Sequence, residues 1–302
     1  MSGWQIGEVG NSVPPGHGTC HGPSLVHPCA GASSVSVDRM SFEMVVVGGG
    51  NMGAALLDGM LGAGVTNAID TAVVEPFAQR RAELEERFPG VTVTAEVPSA
   101  TSAILAVKPP DIPAVAAQVA EAGAQRVLSV AAGVTTQTIR EAVGPGIAVL
   151  RTMPNTPALV GEGVSALCGA PDTSDADLDW AEAALRGVGL VVRVAESQLD
   201  AVTGLTGSGP AYVFLVAEAL MDAGVVAGLP RATVEEMVAQ LLIGSAALLH
   251  ERGSPADLRA MVTSPGGTTA AGVRVLEERA VRAALIDAVQ AAAARSRELG
   301  MR

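Results

Sequence analysis

From Met44 onward, apolar and polar positions fall into short alternating blocks. Met44–Val47 is an apolar run that reads as a strand, followed by a glycine-rich turn and the helical stretch Ala54–Leu61. The pattern continues with strand Ala72–Glu75, helix Ala78–Phe88, and strands Val91–Thr94 and Ala103–Val107. Helix Ile112–Ala122, strand Arg126–Ala131, helix Thr135–Val143 and strand Ile147–Met153 come next. Strands alternating with helices of this length predict a parallel sheet covered on both faces. Past Gly163–Cys168, helix Ser174–Arg186 and strand Leu190–Val194, the strand pattern stops. Ala211–Ala223 then carries Val213, Val216, Ala217 and Leu220 on one helical face. Val234–Leu249 is apolar on more than one side, through Val234, Met237, Val238, Leu241, Leu242, Leu248 and Leu249. A helix apolar most of the way round has to be buried, and in a region this small the cover expected is a second subunit. The expected plan is an α/β region over 41–198 and an all-α region over 199–302, behind an N-terminal extension over 1–40.

Composition narrows this picture. A chain of 302 residues suits two domains of roughly 150 residues each. Hydrophobic residues make up 49% but aromatics only 2%, so the core is expected to be Ala, Val and Leu. The net charge of -12 repels phosphate backbones and argues against a nucleic-acid partner. A mean hydropathy of +0.38 raises the question of a membrane. Gly, Asp, Glu and Arg interrupt the apolar runs too often for about 20 lipid-facing residues, so the reading is a soluble protein. The three cysteines, Cys20, Cys29 and Cys168, imply no disulfide framework, and a reducing cytoplasmic setting is expected. Residues 1–40 show no period, are rich in Gly, Ser, Pro and Val, and are expected to be disordered. They hold His17, Cys20, His21, His27 and Cys29, whose spacings match no standard zinc knuckle, so no metal is expected.

The first candidate chemistry is Gly48-x-Gly50-x-x-Gly53, with Asn51 and Met52 between its glycines. Such a motif is weak alone and strong between a first strand and a helix, where it cradles the pyrophosphate of a dinucleotide. Gly48 would permit the turn, Gly50 would let the backbone approach the phosphates, and Gly53 would let the helix pack. Glu75 ends the second strand, 22 positions after Gly53, where an acid contacts the adenosine ribose hydroxyls. Arg80 and Arg81 follow closely; an arginine there would instead hold a 2′-phosphate, or both are solvated residues of a helix face. Later strands end in Ala106-Val107-Lys108-Pro109 and Ala131-Ala132-Gly133, small residues that leave room for ribose and nicotinamide.

The second candidate lies in the helical region. Ser254-Pro255-Ala256-Asp257 has the form of a helix start. The short helix it opens runs into Val262-Thr263-Ser264-Pro265-Gly266-Gly267-Thr268-Thr269, just before helix Ala270–Glu278 and a last helix, Val281–Leu299. A glycine pair with hydroxyls before a helix offers N–H donors to an anion such as an amino-acid carboxylate. The alternative is an interhelical turn with Thr268 as its N-cap.

On these segments, with Arg151–Pro157 and Asp200–Tyr212, the chain resembles pyrroline-5-carboxylate reductases from about Met44 to Leu299. The resemblance implies a Rossmann-type parallel sheet followed by an all-α dimerisation domain, and dimers that often assemble into a decamer. It implies hydride transfer from NADPH or NADH to the C=N carbon of 1-pyrroline-5-carboxylate, giving L-proline. It also implies that Thr269 contacts the ring nitrogen and that Ser264, Pro265, Gly266, Gly267 and Thr268 hold the carboxylate. Glu75 departs from the small polar residue of several relatives, and the loop 96–102 is shorter than in some, so NADH is expected to serve at least as well as NADPH. Two rival readings are another small-imine or hydroxyacid reductase and a non-catalytic nucleotide-sensing dimer.

Overall fold

The apolar blocks become eight strands in a computed structural model that describes residues 41–300. They are β1 (Phe42–Val47), β2 (Thr71–Val74), β3 (Thr92–Thr94), β4 (Ala100–Leu105), β5 (Arg126–Ser129), β6 (Ala148–Met153), β7 (Gly163–Gly169) and β8 (Gly189–Arg193). One sheet holds them in the order β3-β2-β1-β4-β5-β6-β7-β8. The order reverses direction at β1, which pairs with β2 on one side and β4 on the other, Val45 facing both Ala72 and Ala103. In open sheets of this kind that switch point is where ligands settle, outside the carboxyl ends of the strands.

The expectation of a wholly parallel sheet needs one correction. β7 runs antiparallel to β6, with Arg151 opposite Cys168. Only a short helical turn, Thr156–Val160, separates the two strands. A parallel neighbour needs a crossover of about a dozen residues or more, so the chain folds straight back. The parallel direction resumes between β7 and β8.

Both faces of the sheet are covered, and β1 shows how. Met44 and Val46 point into a cluster with Leu56, Leu57 and Met60 of α1 (Asn51–Gly62) and Leu185 of α5 (Asp175–Arg186). Val45 and Val47 point the other way, to Ile112, Ala116 and Val119 of α3 (Ile112–Glu121) and Ile139 of α4 (Thr136–Val143). This is the two-residue period of a strand buried on both sides. Leu84 of α2 (Ala78–Arg87) joins the first cluster. Each fully buried Leu or Met contributes about 1.5–3 kcal/mol, so this half holds its own core.

The rest is helical: α6 (Leu199–Val202), a π-helical turn Thr203–Gly207, α7 (Gly209–Val226), α8 (Arg231–Arg252), α9 (Pro255–Met261), α10 (Thr268–Glu278) and α11 (Val281–Gly300). The π turn closes with Ser208 N–H donating to the Thr203 carbonyl at 2.8 Å. α11 packs directly on it: a Cβ at Gly204 would lie 2.5 Å from the Val289 carbonyl oxygen. Tyr212 Oη donates to the Gly204 carbonyl (3.3 Å) and the Ser296 hydroxyl to Asp200 (2.6 Å).

Elsewhere these helices are open. Between α7 and α8 only Ala217, Val234 and Val238 are buried. Phe214, Leu215, Met237, Leu241 and Ile243 are each more than half exposed. The stretches Glu196–Val226 and Arg231–Arg252 are long and apolar enough to cross a membrane by length and composition. Contrary to the sequence reading, the interrupting polar residues therefore do not by themselves rule out a stretch of that length and composition. The segment 1–40, with its histidines and two cysteines, lies outside the described residues.

Candidate active site

Helix α1 begins at Asn51, three residues earlier than expected, so the glycine turn is tighter than the sequence suggested. Gly48 takes φ +109, a conformation that disfavours any side chain, and a Cβ there would lie 2.5 Å from the Ala106 carbonyl oxygen. Gly53 sits inside the first turn, where a Cβ would fall 2.0 Å from the Gly48 carbonyl oxygen. Gly50, the N-cap, is exposed, and a Cβ there would meet no atom within 4 Å. The first intrahelical bond is Ala54 N–H to the Gly50 carbonyl at 2.9 Å. The N–H groups of Asn51, Met52 and Gly53 precede it at the positive end of the helix dipole, where a phosphate is favoured; Asn51 is exposed, Met52 partly so and Gly53 buried.

Glu75 lies under this turn. It is 6% exposed, and its carboxylate accepts from Gly49 N–H (3.2 Å) and from Phe77 N–H (3.1 Å). Arg80 Nε donates to the Gly49 carbonyl at 2.8 Å, so the two peptide groups flanking Gly49 are both held. Arg81 donates to the carbonyls of Glu75 (3.0 Å) and Pro76 (2.8 Å). Neither arginine is the solvated helix-face residue that was one of the readings.

Beside the turn is a cleft of about 810 Å³, whose walls include Val47, Gly48, Val74, Pro76 and Val107. It opens at the carboxyl ends of β1, β2 and β4, the switch point of the sheet. Volume and position suit an adenosine, and the open N–H groups of α1 suit its pyrophosphate, so the residues present fit a dinucleotide. Of the other loop residues singled out from sequence, Ala106 packs on Gly48 and Gly53. Lys108 and Pro109 are exposed and outside the walls of the cleft. Ala131 is buried; Ala132 and Gly133 are partly so, and Gly133 touches the end of α11 at Gly300.

The second candidate loop is also built around a helix start. Ser254 caps α9, its hydroxyl accepting from Asp257 N–H at 3.3 Å. Gly266 takes φ +69, and Gly267 N–H donates to the Ser264 carbonyl at 3.0 Å. The N-cap of α10 is Gly267, not Thr268, which begins the helix itself. The first intrahelical bond is Ala271 N–H to the Gly267 carbonyl (3.2 Å), which leaves the N–H groups of Thr268, Thr269 and Ala270 ahead of it. Ser264, Pro265, Gly266 and Thr268 are exposed; Gly267 and Thr269 are partly so. The cleft walls all come from residues 47 to 122, so the two loops do not share it within one chain.

On the sheet side of the junction between the halves lies a network that the sequence did not reveal. Arg151, 8% exposed within β6, pairs with Glu196 at 2.6 Å. Glu196 also accepts from the Thr136 N–H (2.7 Å) and hydroxyl (2.6 Å) at the start of α4. Burial works against its charge, but the Thr136 and Arg151 donors together hold the carboxyl below its ordinary pKa. Asn155 ties the end of β6 to the π turn, donating to the Thr206 carbonyl at 3.0 Å while accepting from Val164 N–H at 2.8 Å. Burial pushes the Cys168 thiol up to about 11.

A switch-point cleft beside a glycine turn, in a parallel-dominated sheet followed by an all-α half, is the arrangement of a dinucleotide-dependent oxidoreductase of Rossmann type. Residues 196–299 match the pyrroline-5-carboxylate reductase dimerisation family, and residues 43–133 the F420-dependent NADP oxidoreductase family. The chain is 43% identical to a pyrroline-5-carboxylate reductase of Synechocystis, over 86% of this chain and 99% of the relative. Its fold matches a solved pyrroline-5-carboxylate reductase from Coxiella burnetii with TM-score 0.79 at 34% identity, covering 86% and 98% of the two chains. A Plasmodium falciparum pyrroline carboxylate reductase solved with NADP bound matches with TM-score 0.74 at 27% identity, covering 86% and 99%. The chain belongs to the pyrroline-5-carboxylate reductase family, which are NAD(P)-dependent oxidoreductases. The match to a dimerisation family accounts for the open apolar faces of α7 and α8 by self-association.

Proposed function

We propose that the chain reduces 1-pyrroline-5-carboxylate to L-proline at a site that two copies complete together. The observation that carries this reading is the pair of open helix starts, Gly50–Gly53 and Gly267–Thr269, one in each half of a chain of this family. Gly48, Gly50, Asn51, Met52 and Gly53 hold the pyrophosphate, and Glu75 the adenosine ribose. Ala106, Val107, Lys108, Pro109, Ala131, Ala132 and Gly133 border the ribose and nicotinamide. When bound, NAD(P)H supplies the hydride that the imine carbon accepts.

The substrate carboxylate rests on the N–H groups at the start of α10, with Ser264, Pro265, Gly266, Gly267 and Thr268 around it. A helix N-terminus favours an anion and costs little reorganisation, because its donors are already aimed outward. Thr269 sets its hydroxyl against the ring nitrogen, where a hydrogen-bond donor makes the C=N carbon more electrophilic. Orientation of the reacting carbons accounts for most of the acceleration. The enzyme is a cytoplasmic homodimer, further assembled into a decamer, with the domain boundary near residue 198. Its partners are the small-molecule substrate and itself, with no nucleic acid, membrane or metal.

The test is a steady-state assay with pyrroline-5-carboxylate on wild type and Thr269→Ala. Wild type should oxidise NADH or NADPH, and the variant should lose about tenfold or more in kcat with a smaller change in KM. An unchanged rate would remove Thr269 from the mechanism, and an inert wild type would remove the reading itself.

A further inference from the structure

We infer that this enzyme works with NADH, and that the buried Glu75 carboxylate rejects the 2′-phosphate of NADPH. The inference deepens the reductase reading and rests on it for the identity of the dinucleotide. Four observations carry it. Glu75 is 6% exposed and sits between Val74 and Pro76, which both form walls of the cleft. Its carboxylate is fixed, not mobile: Gly49 N–H and Phe77 N–H hold its two oxygens. The cleft walls include Glu96, Asp111 and Glu121, and among the described residues that form them none is Lys or Arg.

The two nearby arginines supply the fourth observation. A guanidinium is the usual partner of a 2′-phosphate at this place in a Rossmann fold. Here Arg80 bonds the Gly49 carbonyl and pairs with Glu83 (2.7 Å), while Arg81 bonds the carbonyls of Glu75 and Pro76. Arg80 is paired with Glu83 and Arg81 is anchored on backbone carbonyls, so both guanidiniums are held at the turn and neither forms part of the cleft walls. A ribose 2′-hydroxyl donates to a carboxylate, whereas a 2′-phosphate brings two negative charges to a cleft whose walls carry three acidic residues and, among the described residues that form them, no cation. Specificity here comes from repulsion as well as attraction.

The geometry separates this account from one in which the arginines read the phosphate. Arg80→Ala removes a bond to the Gly49 peptide that both cofactors need, so it should weaken both to a similar degree. Were Arg80 a phosphate ligand, the variant would lose NADPH selectively. Glu75→Gln removes the charge, keeps an oxygen for one N–H and gives up the bond to the other, so it should shift the preference toward NADPH.

The experiment measures kcat/KM for both cofactors, and fluorescence titration of each reduced cofactor onto enzyme without substrate. Wild type, Glu75→Gln, Glu75→Ser and Arg80→Ala are compared, with circular dichroism as the check on folding. Wild type should favour NADH by about tenfold or more, and Glu75→Gln should cut that ratio at least about tenfold. A wild type that binds NADPH as tightly as NADH overturns the inference. So does a ratio that neither Glu75 variant moves, or a selective loss of NADPH in Arg80→Ala. The titration needs no turnover, so failure to reduce pyrroline-5-carboxylate would sink the reductase reading separately.

Discussion

The sheet half and the helical half solve the same burial problem in opposite ways. In the sheet half, Leu56, Leu57, Met60, Ile104 and Leu128 are fully buried by their own chain. In the helical half, Phe214, Leu215, Met237 and Leu241 lie more than half exposed. Chemistry follows the same division. The walls of the cleft proposed for the dinucleotide come from one half of one chain, while the start of α10, proposed to hold the substrate carboxylate, lies outside those walls. A self-sufficient binding half is joined to a half that makes sense only when doubled.

The comparison breaks first at α8. Leu241→Glu places a charge on a face that is open in one chain and covered in a dimer. Burying an unpaired charge is strongly destabilising, so the dimer dissociation constant should rise by about a hundredfold or more, roughly 2.7 kcal/mol. Sedimentation against concentration checks this, and an unshifted monomer–dimer equilibrium would mean that α8 lies outside the interface.

The sheet half is challenged by Gly50→Asp. The side chain enters open space at an N-cap, a position that Asp suits. The melting temperature should therefore hold or rise, while kcat/KM falls by more than about a hundredfold as the carboxylate occupies the phosphate position. Gly53→Ala is the contrast: with 2.0 Å to the Gly48 carbonyl oxygen it should lose about 1–3 kcal/mol of stability as well. If both variants melt alike, the distinction drawn between the two glycines is wrong.

The Glu196 network, on the sheet side of the junction, gives a smaller, pH-dependent effect. The folded pKa of Glu196 lies below its ordinary value of 4.5. Its stabilisation is therefore fully present above pH 4.5 and is lost as pH falls through the lower folded value. Glu196→Gln should be less stable than wild type by about 1 kcal/mol at neutral pH, with the gap closing in acid. Denaturant melts from pH 7 to pH 3 read this directly; a gap that stays constant would show that the charge contributes nothing.

Legibility divided along the same line. The sheet half was readable because each strand is short, apolar and punctuated, and Gly48–Gly53 occupies the turn that its spacing implies. The reversal of β7 was also readable in principle, since nine residues between Met153 and Gly163 cannot make a crossover. The Arg151–Glu196–Thr136 network was not, because its members stand 45 and 60 residues apart and each looks like an ordinary surface polar residue. Glu75 stands at a strand end as expected, but that its carboxylate and Arg80 hold the two peptide groups flanking Gly49 depends on side-chain direction, which spacing does not carry. In the helical half, apolar residues on more than one side of α8 pointed to a covering partner, while the π turn at Thr203–Gly207 left no periodic signature.

The most direct test asks whether the two halves of a working site come from different chains. Gly50→Asp damages the cofactor half and Thr269→Ala the substrate half, and each alone should fall to about a tenth of wild-type activity or less. Co-expressed in equal amounts, half of the dimers are mixed, and each mixed dimer keeps one site with both halves intact. The account predicts recovery of about a quarter of wild-type activity, from the symmetry of a two-fold dimer. Activity no greater than that of the two variants measured separately would contradict it.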